Sequence, residues 1–262
     1  MKILMTVAYD GTCYCGWQSQ KNGVSVQEKL ETALFSVYGE EVRVVGASRT
    51  DAGVHALGQS ACFTLKNDYS LPVEKLPFAI RAKLPPDIVV AGACAVPDDF
   101  HPRFDAKEKT YAYSILNAPH PNPLLRFTAW HIYAALDLDA MKAAASHMVG
   151  SHDFACFCAA GSSAKTTVRT IYAINMLKAP NGLITVLVRG NAFLYNMARI
   201  IVGTLVCAGL GEIAPRDIAA IIESKDRKRA GKTAPPFGLT LLEVKYAEET
   251  ASPLAGLQIN RP

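Results

Sequence analysis

The sequence predicts an α+β fold made of two related halves with mostly antiparallel sheets. Three observations lead there. Short apolar runs of strand length alternate with stretches of helical periodicity, turn signals separate them, and the first half orders them as βαββαβ before similar ingredients recur in the second. At 262 residues the chain suits one large domain or two modest ones. Its 50% hydrophobic and 19% charged content is that of a globular protein able to bury a sizeable core.

Residues 2–9 read as a strand closed by Asp10-Gly11. After a loop through Trp17 and Gly23, Ser25 is placed to cap a helix on which Val26, Leu30, Ala33, Leu34 and Val37 keep helical spacing, with Glu28 completing a capping box. Residues 42–47 and 59–65 read as strands on either side of a turn, 73–84 as a helix and 88–96 as a strand. This order suits a ferredoxin-like or RNA-recognition-like layer, with helices on one face of the sheet.

Residues 97–105 cross to the second half. There 110–116 reads as a strand, 137–149 as an amphipathic helix, and 168–177 with 184–189 as a strand pair around Asn181-Gly182. Helices begin near Phe193 and Pro215, and 239–246 closes the series as a strand. The expected organisation is residues 1–104, residues 105–249 and a loosely docked tail, 250–262. If both sheets are covered on one side only, their other faces form one broad floor with a cleft.

Lys and Arg number 27 against 23 acids, a net charge of +4, which permits a nucleic-acid partner without requiring one. Basic residues are spread from Arg49 and Arg103 to Lys165 and Arg199. A compact run, Lys225-Asp-Arg-Lys-Arg229, reads either as phosphate attraction or as a solvated helix end. Seven cysteines, including Cys13/Cys15 and Cys156/Cys158, point to a reduced, cytoplasmic setting. Their spacing lacks a second pair for structural zinc, and only His147 and His152 near Cys156 and Cys158 hint at a metal, so none is expected. The N-terminal apolar run is too short for a signal peptide, and residues 200–210 are too short to span a bilayer, so a buried helix and no membrane are expected.

The candidate catalytic segment is residues 47–56, Ala-Ser-Arg-Thr-Asp-Ala-Gly-Val-His-Ala, which sets Asp51 between Arg49 and Gly53 in a turn. Taken alone, Asp and Gly there also suit an ordinary reversal. Near the boundary, Phe100, His101, Pro102, Arg103 and Phe104 combine aromatic faces with a cation, a mixture that stacks on bases and holds phosphates, or that clips two halves together.

Seven phrases in order resemble the TruA-type tRNA pseudouridine synthases: Tyr9-Asp-Gly-Thr-x-Tyr-x-Gly-Trp-Gln18, Arg49-Thr-Asp-Ala-Gly-Val-His55, Phe100-His-Pro-Arg-Phe104, Lys109-Thr-Tyr-Ala-Tyr113, His152-Asp-Phe154, Gly190-Asn-Ala-Phe-Leu-Tyr-Asn-Met-Ala-Arg199 and Thr233-Ala-Pro-Pro-x-Gly-Leu239. The resemblance implies isomerisation of uridine to pseudouridine at positions 38, 39 or 40 of the tRNA anticodon stem-loop, by a homodimer without metal or organic cofactor. It implies that Asp51 is the essential carboxylate, that Tyr111 contacts the target base, that Arg199 pairs with the aspartate and that Leu239 lies against the base. Arg49 is implied to support the flipped-out nucleotide. Phe100 to Phe104, and the loop of Ser162, Ser163, Ala164, Lys165 and Thr166, are implied to contact RNA. Ser48 stands where many relatives carry Gly, and Ala198 where Val is frequent.

Two other readings come from different classes. An RNA-binding module with a degenerate site needs only the basic and aromatic residues, and intact Asp51, Tyr111 and Arg199 argue against it. A metal-dependent hydrolase rests only on the Cys and His residues around 147–158.

Overall fold

In a computed structural model, which describes residues 1–21 and 23–247, the elements run β1 (Lys2–Tyr9), α1 (Val26–Tyr38), β2 (Val45–Gly46), β3 (His55–Thr64), α2 (Leu76–Arg81), β4 (Ile88–Val96), β5 (Glu108–Asn117), β6 (Trp130–Ile132), α3 (Leu138–Ser146), β7 (Gly150–Asp153), β8 (Val168–Lys178), β9 (Leu183–Gly190), α4 (Met197–Gly209), α5 (Ile218–Ser224) and β10 (Leu239–Lys245). The expected tail, residues 250–262, lies outside the described residues. Two compact units emerge, Met1–Lys107 with the chain from Leu241 on, and Glu108–Thr240.

The first unit has the expected βαββαβ order. Its strands lie in the order β4-β1-β3-β10, with β2 on β3, and β1 is antiparallel to both neighbours, Leu4 facing Cys62 on one side and Cys94 on the other. Ser25 caps α1 by accepting the Glu28 N–H at 3.2 Å, and Gly39 ends the helix in the left-handed region. Residues 42–47 are not a full strand. The Val44 N–H is taken by Glu31 Oε1, a side chain of α1, so only Val45–Gly46 pair with β3. The helix expected over 73–84 is shorter, because Val73–Lys75 forms a 3-10 turn and Pro77 stands in the first turn of α2.

Alternate residues of a strand face opposite sides of its sheet. Both faces of β1 are nonetheless buried. Ile3, Met5 and Val7 lie on one face. On the other, Leu4 belongs to a cluster with Cys62, Val96 and Phe100, joined by Cys94 and Tyr246. Phe100, in the crossing segment 97–105, therefore packs on the sheet at this end.

In the second unit the order is β5-β9-β8-β7, antiparallel throughout, with short β6 parallel to β5. Gly182, at φ +81°, closes the β8–β9 hairpin as Asn181-Gly182 predicted. β6 and β7 were not anticipated, since three- and four-residue strands leave too short an alternation to read. The apolar run 200–210 is the buried helix α4, in which only Arg199 is partly exposed. Each fully buried Ile, Leu or Val there contributes about 1.5–3 kcal/mol. No helix among the described residues is long and apolar enough to cross a membrane.

Candidate active site

Asp51 lies in the first unit, in the turn between β2 and β3, and is partly buried. Its own carbonyl accepts the Val54 N–H at 3.1 Å, and Gly53 takes φ +77°, which closes the reversal. The chain from β1 to α1 grips this turn from below. Trp17 N–H donates to the Thr50 carbonyl at 3.1 Å, and the Tyr9 hydroxyl bonds Thr50 Oγ1 at 2.7 Å. Gly11 and Gly16 are glycines because of this approach: a β-carbon at Gly11 would overlap the Val54 carbonyl, and one at Gly16 would sit 2.7 Å from the Thr50 oxygen.

From the other side, the buried amide of Gln59 on β3 brackets Ser48, its Oε1 accepting the Ser48 N–H at 3.1 Å and its Nε2 donating to the Ser48 carbonyl at 2.7 Å. Ser48 is not among the positive-φ residues, so the serine in place of glycine fits its backbone. The motif residue His55 is buried at the start of β3, with Nδ1 3.1 Å from the Gly11 N–H and 3.0 Å from Asp10 Oδ1. One nitrogen cannot serve both contacts at once. A bare lone pair accepts from Gly11, whereas a protonated Nδ1 donates to Asp10. Asp10 is held below the usual carboxylate range: burial raises it, but the Thr12 hydroxyl and N–H bonds, aided by His55, outweigh that. His55 thus links β1 to the start of β3 beside the turn, a supporting position.

Arg49 is exposed on the same turn. Of the segment 100–104, Phe100 and Pro102 face inward, Phe100 packing edge-to-face on Tyr246 at 5.0 Å. His101, Arg103 and Phe104 form the outer part. The His101 ring lies 4.2 Å from the Phe104 ring, its Nδ1 accepts the Arg103 N–H at 3.1 Å, and the Arg103 guanidinium stands 5.9 Å over Phe104. Phe104 is 74% exposed, so a stacking surface exists here, but Phe100 anchors it from below.

Tyr111, Arg199 and Leu239 belong to the second unit. Tyr111 is buried on β5 opposite Val188, with the Phe193 ring edge-on at 4.9 Å. Two residues on, the Tyr113 hydroxyl donates to the Pro235 carbonyl at 2.8 Å, and Gly238 rests so close to that ring that a β-carbon would lie 2.6 Å from it. This seats the 3-10 turn Pro236–Gly238, from which buried Leu239 follows.

Arg199 occupies the first turn of α4, where the helix dipole disfavours a cation by about 0.3–1 kcal/mol. Local acceptors offset this. Nη1 donates to Asn196 Oδ1 at 2.7 Å and Nε to the Ala234 carbonyl at 2.8 Å. Asn196, at the cap of the helix, holds φ +58°, a left-handed conformation that asparagine adopts more readily than most residues.

In the loop 162–166, Ser163, Lys165 and Thr166 are exposed, and Ser162 Oγ accepts the Ala164 N–H at 3.3 Å. His152 lies on β7, and Cys156, its thiol pushed up to about 11 by burial, sits in the turn beyond. No group of three or more His, Cys, Asp or Glu able to hold a metal occurs among the described residues. Within units, therefore, Asp51 shares its turn with Arg49, and Arg199 shares the second unit with Tyr111 and Leu239. Sequence reading missed Gln59 altogether, and although Tyr9, Asn196 and Ala234 lie within the quoted phrases, their bonds to Thr50 and Arg199 show only once the chain is folded.

A family model described as tRNA pseudouridine synthase matches residues 5–105 and 144–247. Among similar relatives, the tRNA pseudouridine synthase A of Thermoanaerobacter sp. (strain X514) is 50% identical over 244 residues, 93% of this chain and 99% of that one. That of Caldicellulosiruptor bescii is 47% identical over the same shares, and that of Citrifermentans bemidjiense 46% over 94% and 98%. A chain of a solved Cbf5-Nop10-Gar1 complex aligns with 91% of this chain and 48% of its own length, at 11% identity and a TM-score of 0.38, too slight a likeness to bear on function.

Proposed function

The chain belongs to the tRNA pseudouridine synthase family, an isomerase of uridine in tRNA, and from that premise we propose that it acts at positions 38, 39 or 40 of the anticodon stem-loop with Asp51 as its catalytic carboxylate. The supporting observation is the fastening of the turn. Three neighbours, Tyr9, Trp17 and Gln59, hold residues 48–50 from two sides, a pre-organisation that an ordinary surface reversal does not need.

The isomerisation breaks the bond between ribose C1′ and uracil N1, turns the base and joins C1′ to C5, after which the C5 proton leaves. No electron is gained or lost, so the reading includes no cofactor. An ionised Asp51 either attacks covalently at C1′ or C6, or takes the C2′ proton. Enclosing a carboxylate with the base desolvates it and favours the neutral acid, a penalty that a guanidinium offsets. Arg199 is assigned that part.

Tyr111 lends an aromatic face to uracil, with its hydroxyl available to receive the C5 proton, and Leu239 packs on the base. Extruding the nucleotide costs a few kcal/mol. Arg49 supports the extruded state. His101, Arg103 and Phe104 contact the RNA, as does the Ser162–Thr166 loop with its Lys165. The active species in this reading is a cytoplasmic homodimer.

The decisive experiment incubates wild type and Asp51→Asn with stem-loop tRNA tritiated at uracil C5, without added metal. Wild type should release tritium, and the variant should bind tRNA normally while losing about 10²–10⁴-fold of the rate. Normal release by a folded Asp51→Asn protein would overturn the assignment. Binding without release by either protein would instead favour an RNA-binding module.

A further inference from the structure

The basic run that follows α5 looks in sequence like a phosphate-binding patch. Three of its four cations are turned to protein partners instead. Lys225 Nζ lies 2.8 Å from Asp153 Oδ2, and Arg229 Nη1 donates to the Ala220 carbonyl at 3.4 Å. Arg227 makes the most of these bonds: Nη1 donates to the carbonyls of Ala230 at 3.3 Å and Gly231 at 2.9 Å, and Nη2 to Thr233 Oγ1 at 3.0 Å.

Those three acceptors lie on a strap, residues 230–235, that has no regular secondary structure. A planar guanidinium is suited to bracing such a segment, because its fixed fork meets several acceptors at once and keeps its charge at any ordinary pH. The strap is pressed onto α4. The Gly231 N–H donates to Thr204 Oγ1 at 2.9 Å, Thr204 Oγ1 bonds the Ile200 carbonyl, and a β-carbon at Gly203 would overlap the Lys232 carbonyl. Its far end meets Arg199 reciprocally: the Ala234 N–H donates to the Arg199 carbonyl at 3.1 Å and the Ala234 carbonyl accepts Arg199 Nε. A continuous path of bonds thus runs from Arg227 through the strap to the Arg199 guanidinium, entirely within the second unit.

We propose that Arg227 is a positioning residue for the reaction, bracing the Ala230–Ala234 strap so that Ala234 aims the guanidinium of Arg199. This rests on the reading that Arg199 serves the chemical step. Lysine at 227 carries the charge but lacks the fork, and so should restore little.

The test is a double-mutant cycle in kcat, KM and salt-dependent tRNA affinity, using full-length Arg227→Met, Arg227→Lys, Thr233→Val and Arg199→Ala, singly and with each of the first three placed in the Arg199→Ala background. Arg227→Met should lower kcat about tenfold to a hundredfold, the scale of a small misplacement at a reacting centre, while leaving tRNA affinity and its salt slope at wild-type values. Arg227→Lys should lie close to Arg227→Met, and Thr233→Val should move kcat in the same direction by less. None should lower kcat further once Arg199 is alanine. Equal fold losses in both backgrounds would overturn the proposal in favour of a general structural role, and unchanged kcat with a reduced salt slope would overturn it in favour of a phosphate contact. If Arg227→Met fails to fold, Thr233→Val, which leaves the carbonyl bonds of Arg227 in place, decides by the same criteria. Wild-type turnover by Arg199→Ala would sink the underlying reading and the proposal with it, whereas loss in Arg199→Ala with additive Arg227 effects would sink the proposal alone.

Discussion

The Asp51 turn and the strap under Arg199 solve one problem with different materials. In both, an irregular segment presents a charged residue, and in both a glycine beneath lets two backbones meet: Gly11 under Val54, Gly203 under Lys232. The fastening differs. The turn is held by the backbone N–H of Trp17 and the neutral buried side chains of Tyr9 and Gln59, whereas the strap is bonded by the guanidinium of Arg227. Two segments fastened so differently should fail differently when disturbed.

The largest effect should come from filling the two glycines. At Gly203, alanine would gain about 1 kcal/mol of helix propensity. Overlap with a backbone carbonyl that can move only with its whole segment costs about 1–3 kcal/mol or more, so Gly203→Ala should be net destabilising. Gly11→Ala has less helix propensity to gain and should destabilise by about 1–3 kcal/mol. Chemical denaturation measures both, and wild-type stability in either variant would break the parallel between the segments.

A smaller effect separates cations that face solvent from those committed to the fold. Arg103→Ala or Lys165→Ala should weaken tRNA binding and reduce its salt slope by about 1 each, with kcat little changed. Lys225→Ala should leave that slope unchanged, because its ammonium is already engaged by Asp153. A drop confined to kcat in the first pair would argue against their RNA role.

Smallest is the pH response of the Asp153–Lys225 pair. The Lys225 bond, with help from Thr167, holds Asp153 below the usual carboxylate range, and the same bond raises Lys225. A depressed acid contributes stability above its unfolded value near 3.8 and loses it as pH falls through the folded value. A raised base contributes below about 10.5 and loses it as pH rises through the folded value. Asp153→Asn should therefore lower Tm slightly at neutral pH, with the gap to wild type closing in acid. Both partners are solvent-screened, so the change should stay small. A gap that persisted after the Asp153 carboxylate had itself been protonated would mean that packing, not charge, was lost.

Much of this molecule was legible before folding. Apolar runs of the right length located β1 and α4, which are buried nearly all round, while spacing imposed by burial of one face located α1, β4, β8 and β9. The turn at Asp51, the cap at Ser25 and the hairpin at Asn181-Gly182 were readable from residues whose backbone preferences are local. Ordered motifs marked Asp51, Tyr111 and Arg199 as a set. Tertiary structure alone decided the rest. It made Phe100 the buried anchor of the segment 100–104, gave the Val44 N–H to Glu31 in place of a strand partner, and folded the basic run back on its own chain at Arg227. The reason is physical: a side chain's hydrogen-bond partners, unlike its periodicity, lie at distances along the chain that no local pattern encodes. Gln59 reaching Ser48 and Arg199 reaching Ala234 exist only once the backbone has brought them within about 3 Å.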